Sequence, residues 1–217
     1  MNIINWNMQG ASHSTENKWN EGVLPFFTQQ KADICMLQEC GAVPASAQLR
    51  QANVGGFVGL NLYTWGTDRN HKHILFYPAD PNGNRCNLAV VSTTQPTAAT
   101  LVLPLAPPIW RPVIGMVLGG SFFGSIHAIS PNGPDAPALL NQVAALGLPW
   151  VVGGDYNRLP ASMNSAAWMV NSPNGPTYPS TGPEKALDYQ ITAAGPARTG
   201  QVLSLYMSDH LAVAYQY

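Results

Sequence analysis

The sequence contains few charged residues. Only 10% of its 217 residues are Asp, Glu, Lys or Arg, against about 25% in an average soluble protein. Ten basic and eleven acidic residues give a formal net charge of −1, which excludes the strong positive field that draws a basic chain to nucleic acid or anionic membrane. Any binding of phosphate must therefore depend on a few local cations.

Long apolar runs and a cysteine framework are also missing. No run approaches the ~18 apolar residues that would span a bilayer, and no secretion signal precedes the first strand-like segment. The three cysteines lack zinc spacing, and at most one bridge, between Cys40 and Cys86, is possible. A charge-poor surface rich in Asn and Pro favours an extracellular protein, so we expect a secreted chain without its leader.

Short apolar segments and turns alternate along the chain, which predicts a single domain over 1–217. Strand-like patterns occur at roughly 2–7, 33–38, 57–64, 73–77, 87–92, 112–118, 121–128, 149–153, 186–192 and 210–216. One helix is predicted after Ser14, with a kink at Pro25. A second is predicted over 134–147, with Pro134 and Asp135 in its first turn and Gly147 at its end.

About ten strands and two helices favour an α/β or α+β fold, with two packed sheets and helices outside.

Polar residues recur where the strands end. Glu39 follows a buried strand, where a carboxylate is costly unless it is partnered, so a divalent cation is a natural partner and a solvated strand end is the alternative. Asn7 ends the first strand. His127 is either a site residue or a core histidine bonded to the backbone.

The segment PWVVGGDYN is the most specific single signal. Asp155 and Asn157 are two residues apart and would share one side of an extended backbone. Gly153 and Gly154 would let a ligand approach the main chain closely. An acid and an amide in this arrangement suit a phosphate oxygen, a water molecule or a metal ion.

Four further segments add charged candidates. Asp209 and His210 are adjacent and cannot share a strand face, so Asp188 is the best-placed carboxylate to orient His210; a surface turn is the alternative. Arg85 and Arg111 border apolar segments, and their guanidinium groups match phosphate geometry. A plain salt bridge is the alternative for each arginine.

In chain order, the segments NMQG, LQE, WRP, SIHA, GGDYNR, LDY and SDH resemble motifs of the endonuclease/exonuclease/phosphatase family, which has the deoxyribonuclease I-like fold. The resemblance extends from Asn5 to Val213. Longer stretches, among them NMQGASHSTENKW and VVGGDYNRLP, look like the catalytic B subunits of cytolethal distending toxins. The resemblance implies a four-layer sandwich of two mixed β-sheets flanked by helices, and a site that uses one divalent metal ion, usually Mg²⁺.

Roles are carried over from the resemblance residue by residue. The implied metal group is Glu39, with Asn7 and Asp209 near the metal or its waters. The implied catalytic group is His127, His210, Asp155, Asp188 and Asn157. The implied contacts to phosphate or to the DNA backbone are Arg85, Arg111 and Asn157. The resemblance leaves open whether His210 or Asp155 is the general base.

The implied activity is hydrolysis of DNA phosphodiester bonds by a secreted toxin-type nuclease that acts in the nucleus of a target cell. Carrier or lectin-like subunits are the implied partners. The nearest alternative is a phosphatase acting on phosphoinositides or other phosphoesters, because this fold serves several substrates. A non-catalytic member that only binds a partner is the alternative of another class. Few cations predict a shallow salt dependence of DNA binding.

Overall fold

The computed structural model describes residues 1–10, 15–67, 69–80, 85–105, 111–163 and 165–217. Fourteen strands lie within these residues. In chain order they are β1 (Asn2–Asn7), β2 (Ile34–Gln38), β3 (Gln48–Gln51), β4 (Asn61–Thr67), β5 (Asn70–Tyr77), β6 (Leu88–Ser92), β7 (Ala98–Val102), β8 (Val113–Leu118), β9 (Ser121–His127), β10 (Trp150–Asp155), β11 (Met169–Asn171), β12 (Asp188–Thr192), β13 (Gln201–Val202) and β14 (Val213–Gln216).

The strands form two mixed sheets. One has the order β13-β14-β1-β2-β6-β5-β4-β3, and the other has the order β11-β12-β10-β9-β8-β7. In the first sheet β1 and β2 are parallel, and in the second β9 and β10 are parallel, while the other pairs are antiparallel. The carboxyl ends of these two parallel pairs meet at one end of the sandwich, where the Asn7 amide lies 3.1 Å from the Asp155 carboxylate.

The first helical segment bends without interruption. It consists of α1 (Thr15–Asn17), a π-helical segment (Lys18–Val23) and α2 (Leu24–Thr28). The amide of Leu24 donates to the carbonyl of Trp19, five residues back. This wider turn stands directly before Pro25, which has no amide hydrogen to donate, so the irregularity predicted at Pro25 takes the form of a π turn.

The second helix, α3 (Ala136–Ala144), begins later than predicted. Pro134 lies before the N-cap residue Asp135, and Pro137 takes the first-turn position instead. Asp135 does not cap the helix with its side chain; its carboxylate accepts the amide hydrogen of Ile129. Gly147, with φ of +71°, follows the last turn as predicted. Within the described residues, no helix is long and apolar enough to cross a membrane.

Three apolar clusters hold the layers together. The central cluster lies between the sheets and includes Ile3, Met36 and Phe123. A second joins the outer face of the eight-stranded sheet to the first helical segment, and the third joins the six-stranded sheet to α3. Because side chains alternate along a strand, Ile3 faces the other sheet and Ile4 faces the helices. The structure therefore confirms the predicted sandwich of two mixed sheets flanked by helices.

Two predictions about the strands were wrong. The strand expected at 57–64 begins only at Asn61, after a 3₁₀ turn over Val54–Gly56. In addition, β3, β7, β11 and β13 were not predicted, and these are the four edge strands of the two sheets. An edge strand is paired on one side only and buries little; in β3 all four residues are exposed.

Candidate active site

The predicted site residues converge on an open cleft at the end of the sandwich where the parallel strands finish. The cleft has a volume of about 720 Å³. Predicted residues that line it are Glu39, Arg85, Arg111, His127, Asp155, Asn157, Asp209 and His210. Asn7 and Asp188 lie beneath this lining and are almost completely buried. Folding thus gathers side chains from strand ends that are far apart in sequence.

Asp155 lies at the centre of the site. Its Oδ2 atom is 3.6 Å from His127 Nε2 and 3.8 Å from His210 Nε2. The side-chain amides of Asn7 and Asn157 donate to the same oxygen at 3.1 and 3.3 Å. Both histidine distances exceed that of a direct hydrogen bond, so the two imidazoles face the carboxylate without closing on it.

His210 is paired with Asp188, as predicted. Its Nδ1 atom lies 2.8 Å from Asp188 Oδ2, and Thr177 Oγ1 donates to the same oxygen at 2.6 Å. Burial by itself would lower the pKa of His210, but the charge and hydrogen bond of Asp188 outweigh it and raise the pKa to about 10. His210 therefore carries a proton at neutral pH, with Nε2 directed toward Asp155 and the cleft.

His127 has the opposite charge state. Burial, and then the positive charges of Arg111 and His210, hold its pKa well below the ordinary value, so the ring is neutral at pH 7. Its Nε2 atom lies 3.7 Å from Glu39 Oε1, and its Nδ1 atom has no hydrogen-bond partner among the described residues. The alternative in which His127 is a core histidine bonded to the backbone through its ring is therefore not observed.

The pKa of Asp155 is raised to about 7, first by burial and then by the charge of Asp188, against the lowering effect of His210. Its carboxyl group can therefore take up or release a proton near neutral pH. The pKa values of Asp155 and His210 are thus about 7 and about 10, and neighbours whose pKa values are pushed apart can divide the roles of base and acid.

Glu39 and Asp209 are two carboxylates that line the cleft and interact electrostatically. The carboxylate of Glu39 is 20% exposed, and its φ of +46° turns it out of β2 into the cleft. Burial raises the pKa of Glu39, and although the Asn7 hydrogen bond opposes this, the charge of Asp209 raises it further. Two carboxylates that repel each other at an open face fit a hard divalent cation, which prefers oxygen ligands.

Asn7 is oriented by its neighbours. Its Oδ1 accepts the amide hydrogen of Gln9, while its Nδ2 donates to Glu39 Oε1 at 3.3 Å. In this arrangement the side chain of Asn7 holds Glu39, and the oxygens that face the cleft come from Glu39 and Asp209. Gln9 also accepts the amide hydrogen of Asp209 through its Oε1, so the segment after β1 links these residues.

A second group, Asp155, Asp188 and His210, places its ligand atoms within 4.8 Å of one another. Thr177 and His210 already engage Asp188 Oδ2, and an imidazole is a poor ligand for Mg²⁺. This group is thus better suited to holding a proton than a magnesium ion.

Two expectations about the segment GGDYN were wrong. Asn157 has φ of +49° and is not extended. It contacts Asp155 through a turn in which the backbone N–H of Asn157 donates to Asp155 Oδ1 at 2.8 Å. Gly153 and Gly154 leave room for neighbouring protein atoms and not for a ligand. A Cβ atom at Gly153 would lie 2.8 Å from the sulfur of Met36, and one at Gly154 would overlap the carbonyl oxygen of Ile126 and lie 2.9 Å from the amide of Gln38.

The arginines and the cysteines also have defined places. Arg111 donates to the carbonyl of Ala128 at 3.1 Å, and neither it nor Arg85 forms a salt bridge with a described residue.

The possible Cys40–Cys86 bridge is not formed, since all three cysteines are free. Cys40 is packed beneath the first helical segment, whereas Cys86 lines the cleft.

Several residues of the site were not predicted. Arg158 and Lys185 line the cleft, and the ring of Tyr178 packs 4.7 Å from that of His210. Lys18 is buried and donates to the carbonyl of Met8 at 2.6 Å, which fixes the loop after β1. Arg158 follows the GGDYN segment directly, which was an available signal. The sequence around Thr177 and Lys185 carries no comparable pattern.

The structure thus combines a sandwich of two mixed sheets with a group of acids and histidines at the end where the parallel strands finish. A profile of the Endonuclease/Exonuclease/phosphatase family matches residues 4–210. The chain belongs to this family, whose name covers nucleases and phosphatases. The family predicted from the sequence is confirmed.

Within the family, the chain is similar to particular toxin components. It is 32% identical to a homolog of the cytolethal distending toxin B subunit from Salmonella typhi, over 98% of this chain and 88% of that protein. It is 30% identical to the cytolethal distending toxin B subunit of Escherichia coli, over 87% of this chain and 77% of that protein.

Solved structures agree with these sequence relationships. The crystal structure of cytolethal distending toxin from Actinobacillus actinomycetemcomitans contains a chain with a TM-score of 0.89 and 29% identity, which covers 100% of this chain and 97% of that chain. A truncated Caenorhabditis elegans TDP2 has a TM-score of 0.59 at 14% identity, over 100% of this chain and 97% of that one. The second likeness shows the fold alone.

Proposed function

We propose that this protein is a Mg²⁺-dependent endonuclease that hydrolyses phosphodiester bonds in DNA. The observation that carries the proposal is the placement of Asp155 Oδ2 between two histidines of opposite charge state, in an open cleft that also holds arginines. The similarity to toxin B subunits supports DNA over other phosphoesters. A phosphodiester hydrolase must activate a water molecule, stabilise a charged pentacoordinate phosphate and protonate the departing oxygen.

Asp155 is the group best suited to accept the proton of the attacking water. With a pKa of about 7 it is substantially ionised at neutral pH, and two amides hold its carboxylate in place. With a pKa raised to about 10, His210 is protonated at neutral pH and is less suited than Asp155 to act as the base. Its Nε2–H group instead stabilises a phosphate oxygen or protonates the leaving oxygen.

His127 and the arginines act on the charge of the phosphate. A neutral His127 can donate one hydrogen bond to a phosphate oxygen without itself losing a proton. Arg111 is anchored by the carbonyl at the end of β9, so its guanidinium group is held next to His127. Asn157 is tied to Asp155 and to the Ala128 carbonyl, and it orients the carboxylate.

Glu39 and Asp209 are the residues that would hold Mg²⁺, with Asn7 positioning Glu39. A bound Mg²⁺ ion supplies positive charge that neutralises the developing phosphate charge. The carboxylate pair fits this ion because both groups provide oxygen ligands at the open side of the site.

The proposal is tested with supercoiled plasmid in the presence of Mg²⁺. Wild-type protein should relax the plasmid, EDTA should abolish relaxation, and His127→Ala should lose most of the rate. His71→Ala changes an exposed histidine on β5 and is the matched control. Release of inositol headgroups without any nicking would overturn the proposal in favour of a phosphatase. Full biological function of a Glu39→Gln/His210→Ala double variant would instead favour a non-catalytic binding protein.

We also propose that the protein is secreted and acts in the nucleus of a target cell together with carrier or lectin-like subunits. The support for this is the similarity to the B subunits of cytolethal distending toxins. Co-purification with separately expressed carrier subunits tests the partnership, and DNA-damage foci in exposed cells test the nuclear site.

A further inference from the structure

The cleft is lined by cations as well as by the acidic residues Glu39, Asp80, Asp155 and Asp209. Of the ten Lys and Arg residues in the sequence, four line the cleft: Arg85, Arg111, Arg158 and Lys185. The first two were expected to bind phosphate. Arg158 and Lys185 are unassigned, and they are here called the second cation pair.

Strand order separates the second cation pair from Arg111, with Lys185 beyond the catalytic strands and Arg158 after the strand of Asp155. In the six-stranded sheet, β8, β9, β10 and β12 are consecutive neighbours. Arg111 precedes β8, His127 ends β9, Arg158 follows β10, and Lys185 precedes β12. Cations therefore stand at both ends of a row whose middle is formed by His127 and Asp155.

Local hydrogen bonds hold both members of the pair in place. Lys185 exchanges backbone hydrogen bonds of 2.9 and 3.0 Å with Tyr178, whose ring packs against His210. Arg158 donates from Nε to Ser162 Oγ at 2.9 Å, which leaves its terminal nitrogens for another partner. Among the described residues, no carboxylate forms a salt bridge with either side chain. Their charges are therefore available to a ligand.

The row is too long for a single phosphate group. Three strand spacings separate the strands of Arg111 and Lys185, which is ~14 Å at ~4.8 Å for each spacing. Duplex DNA rises ~3.4 Å for each nucleotide of a strand, so the row matches about four nucleotides. An isolated phosphoester headgroup occupies only the centre of such a row.

We infer that Arg158 and Lys185 form a second phosphate-binding subsite, which holds the DNA backbone on the side of the cleft away from Arg111. This inference rests on the proposed function. With this subsite, the four cations favour binding of a continuous polynucleotide over binding of a small phosphoester.

The salt dependence of binding measures the number of phosphate contacts. Each contact contributes about −0.9 to the slope of log K against log salt concentration. Four contacts predict a slope of roughly −3.6, and loss of two reduces it to roughly −1.8. At 0.15 M salt the same relation predicts an approximately 30-fold weaker affinity for the variant that lacks two contacts.

The experiment compares Arg158→Gln/Lys185→Gln with Lys31→Gln/Arg50→Gln. The control makes the same change in net charge at exposed residues that do not line the cleft. Binding to a short fluorescent duplex is measured by anisotropy in EDTA between 50 and 200 mM salt, a range over which a slope is well resolved. Hydrolysis of the duplex and of a small phosphodiester, bis(p-nitrophenyl) phosphate, is measured with Mg²⁺.

We expect the slope to shrink by about 2 units and the ratio of kcat/KM for duplex over small diester to fall for the test variant only. An unchanged slope, or an equal change in the control, overturns the inference while wild-type nicking leaves the proposed function standing. Loss of binding to phosphoinositide vesicles with unchanged duplex binding also overturns it. If wild-type protein nicks no DNA at all, the proposed function itself fails.

Discussion

Replacement of Asp188 by Asn should release His210 from its raised pKa. The rise from 6.5 to about 10 corresponds to roughly 5 kcal/mol in favour of the protonated ring. Without the negative charge, burial dominates and lowers the pKa of His210 toward or below its ordinary value. Titration of the His210 ring protons by NMR measures this change directly.

Catalysis and stability should report the same change. If His210 acts in its protonated form, the nicking rate falls at high pH in wild type near pH 10, and in Asp188→Asn this limb moves to near neutral pH. The raised pKa also contributes stability that is complete below pH 6.5 and is lost as the pH rises through about 10. Urea unfolding at pH 6 and pH 10 should therefore differ more for wild type than for the variant.

Two controls separate the charge of Asp188 from other effects. Thr177→Val removes one hydrogen bond to Asp188 but keeps the charge, so the pKa of His210 should change less. Asp33→Asn removes a carboxylate that precedes β2, at the end of this strand away from Glu39. This change should leave the titration of His210 unchanged. If His210 in Asp188→Asn titrates within about half a unit of wild type, the pairing does not set its charge state.

Four further predictions concern the site and its support. His127→Ala should lower the nicking rate by roughly 10²–10⁴-fold with the melting temperature preserved; unfolding would show a structural role instead. Glu39→Gln should raise the Mg²⁺ concentration needed for half-maximal nicking, measured by titration against EDTA-treated protein. The rate should rise with pH through about 7, the pKa of Asp155, whereas a rate that rises only through about pH 10 would assign the base to His210. Gly153→Ala should cost about 1–3 kcal/mol of unfolding free energy, because its Cβ would press on Met36; calorimetry of the purified variant decides this.

Strands in the interior of the sheets could be predicted, and those at the edges could not. β1 lies at 2–7 as predicted, because Ile3, Ile4 and Trp6 give it an apolar pattern and all six of its residues are buried. β13 has two residues and β3 is wholly exposed, so neither carries an apolar pattern. Their position depends on pairing with a neighbour and not on the burial of their own side chains.

The partner of His210 could be predicted from the sequence, because the adjacent residue cannot share its strand face. The alternation of side chains ruled out Asp209 as the partner of His210, and the contact with Asp188 confirms that inference. The position of Asn157 could not be obtained in this way, because a left-handed backbone conformation depends on local hydrogen bonds. The catalytic and metal roles assigned from the resemblance stay predictions.

Asp155 Oδ2 faces both imidazoles, so His127 and His210 are energetically coupled through this one oxygen. Removing either histidine changes the environment of the one oxygen that the other faces. The effects of His127 and His210 substitutions should therefore be non-additive in a double-mutant cycle. The ionisation constants read from a rate profile will therefore contain contributions from all three groups.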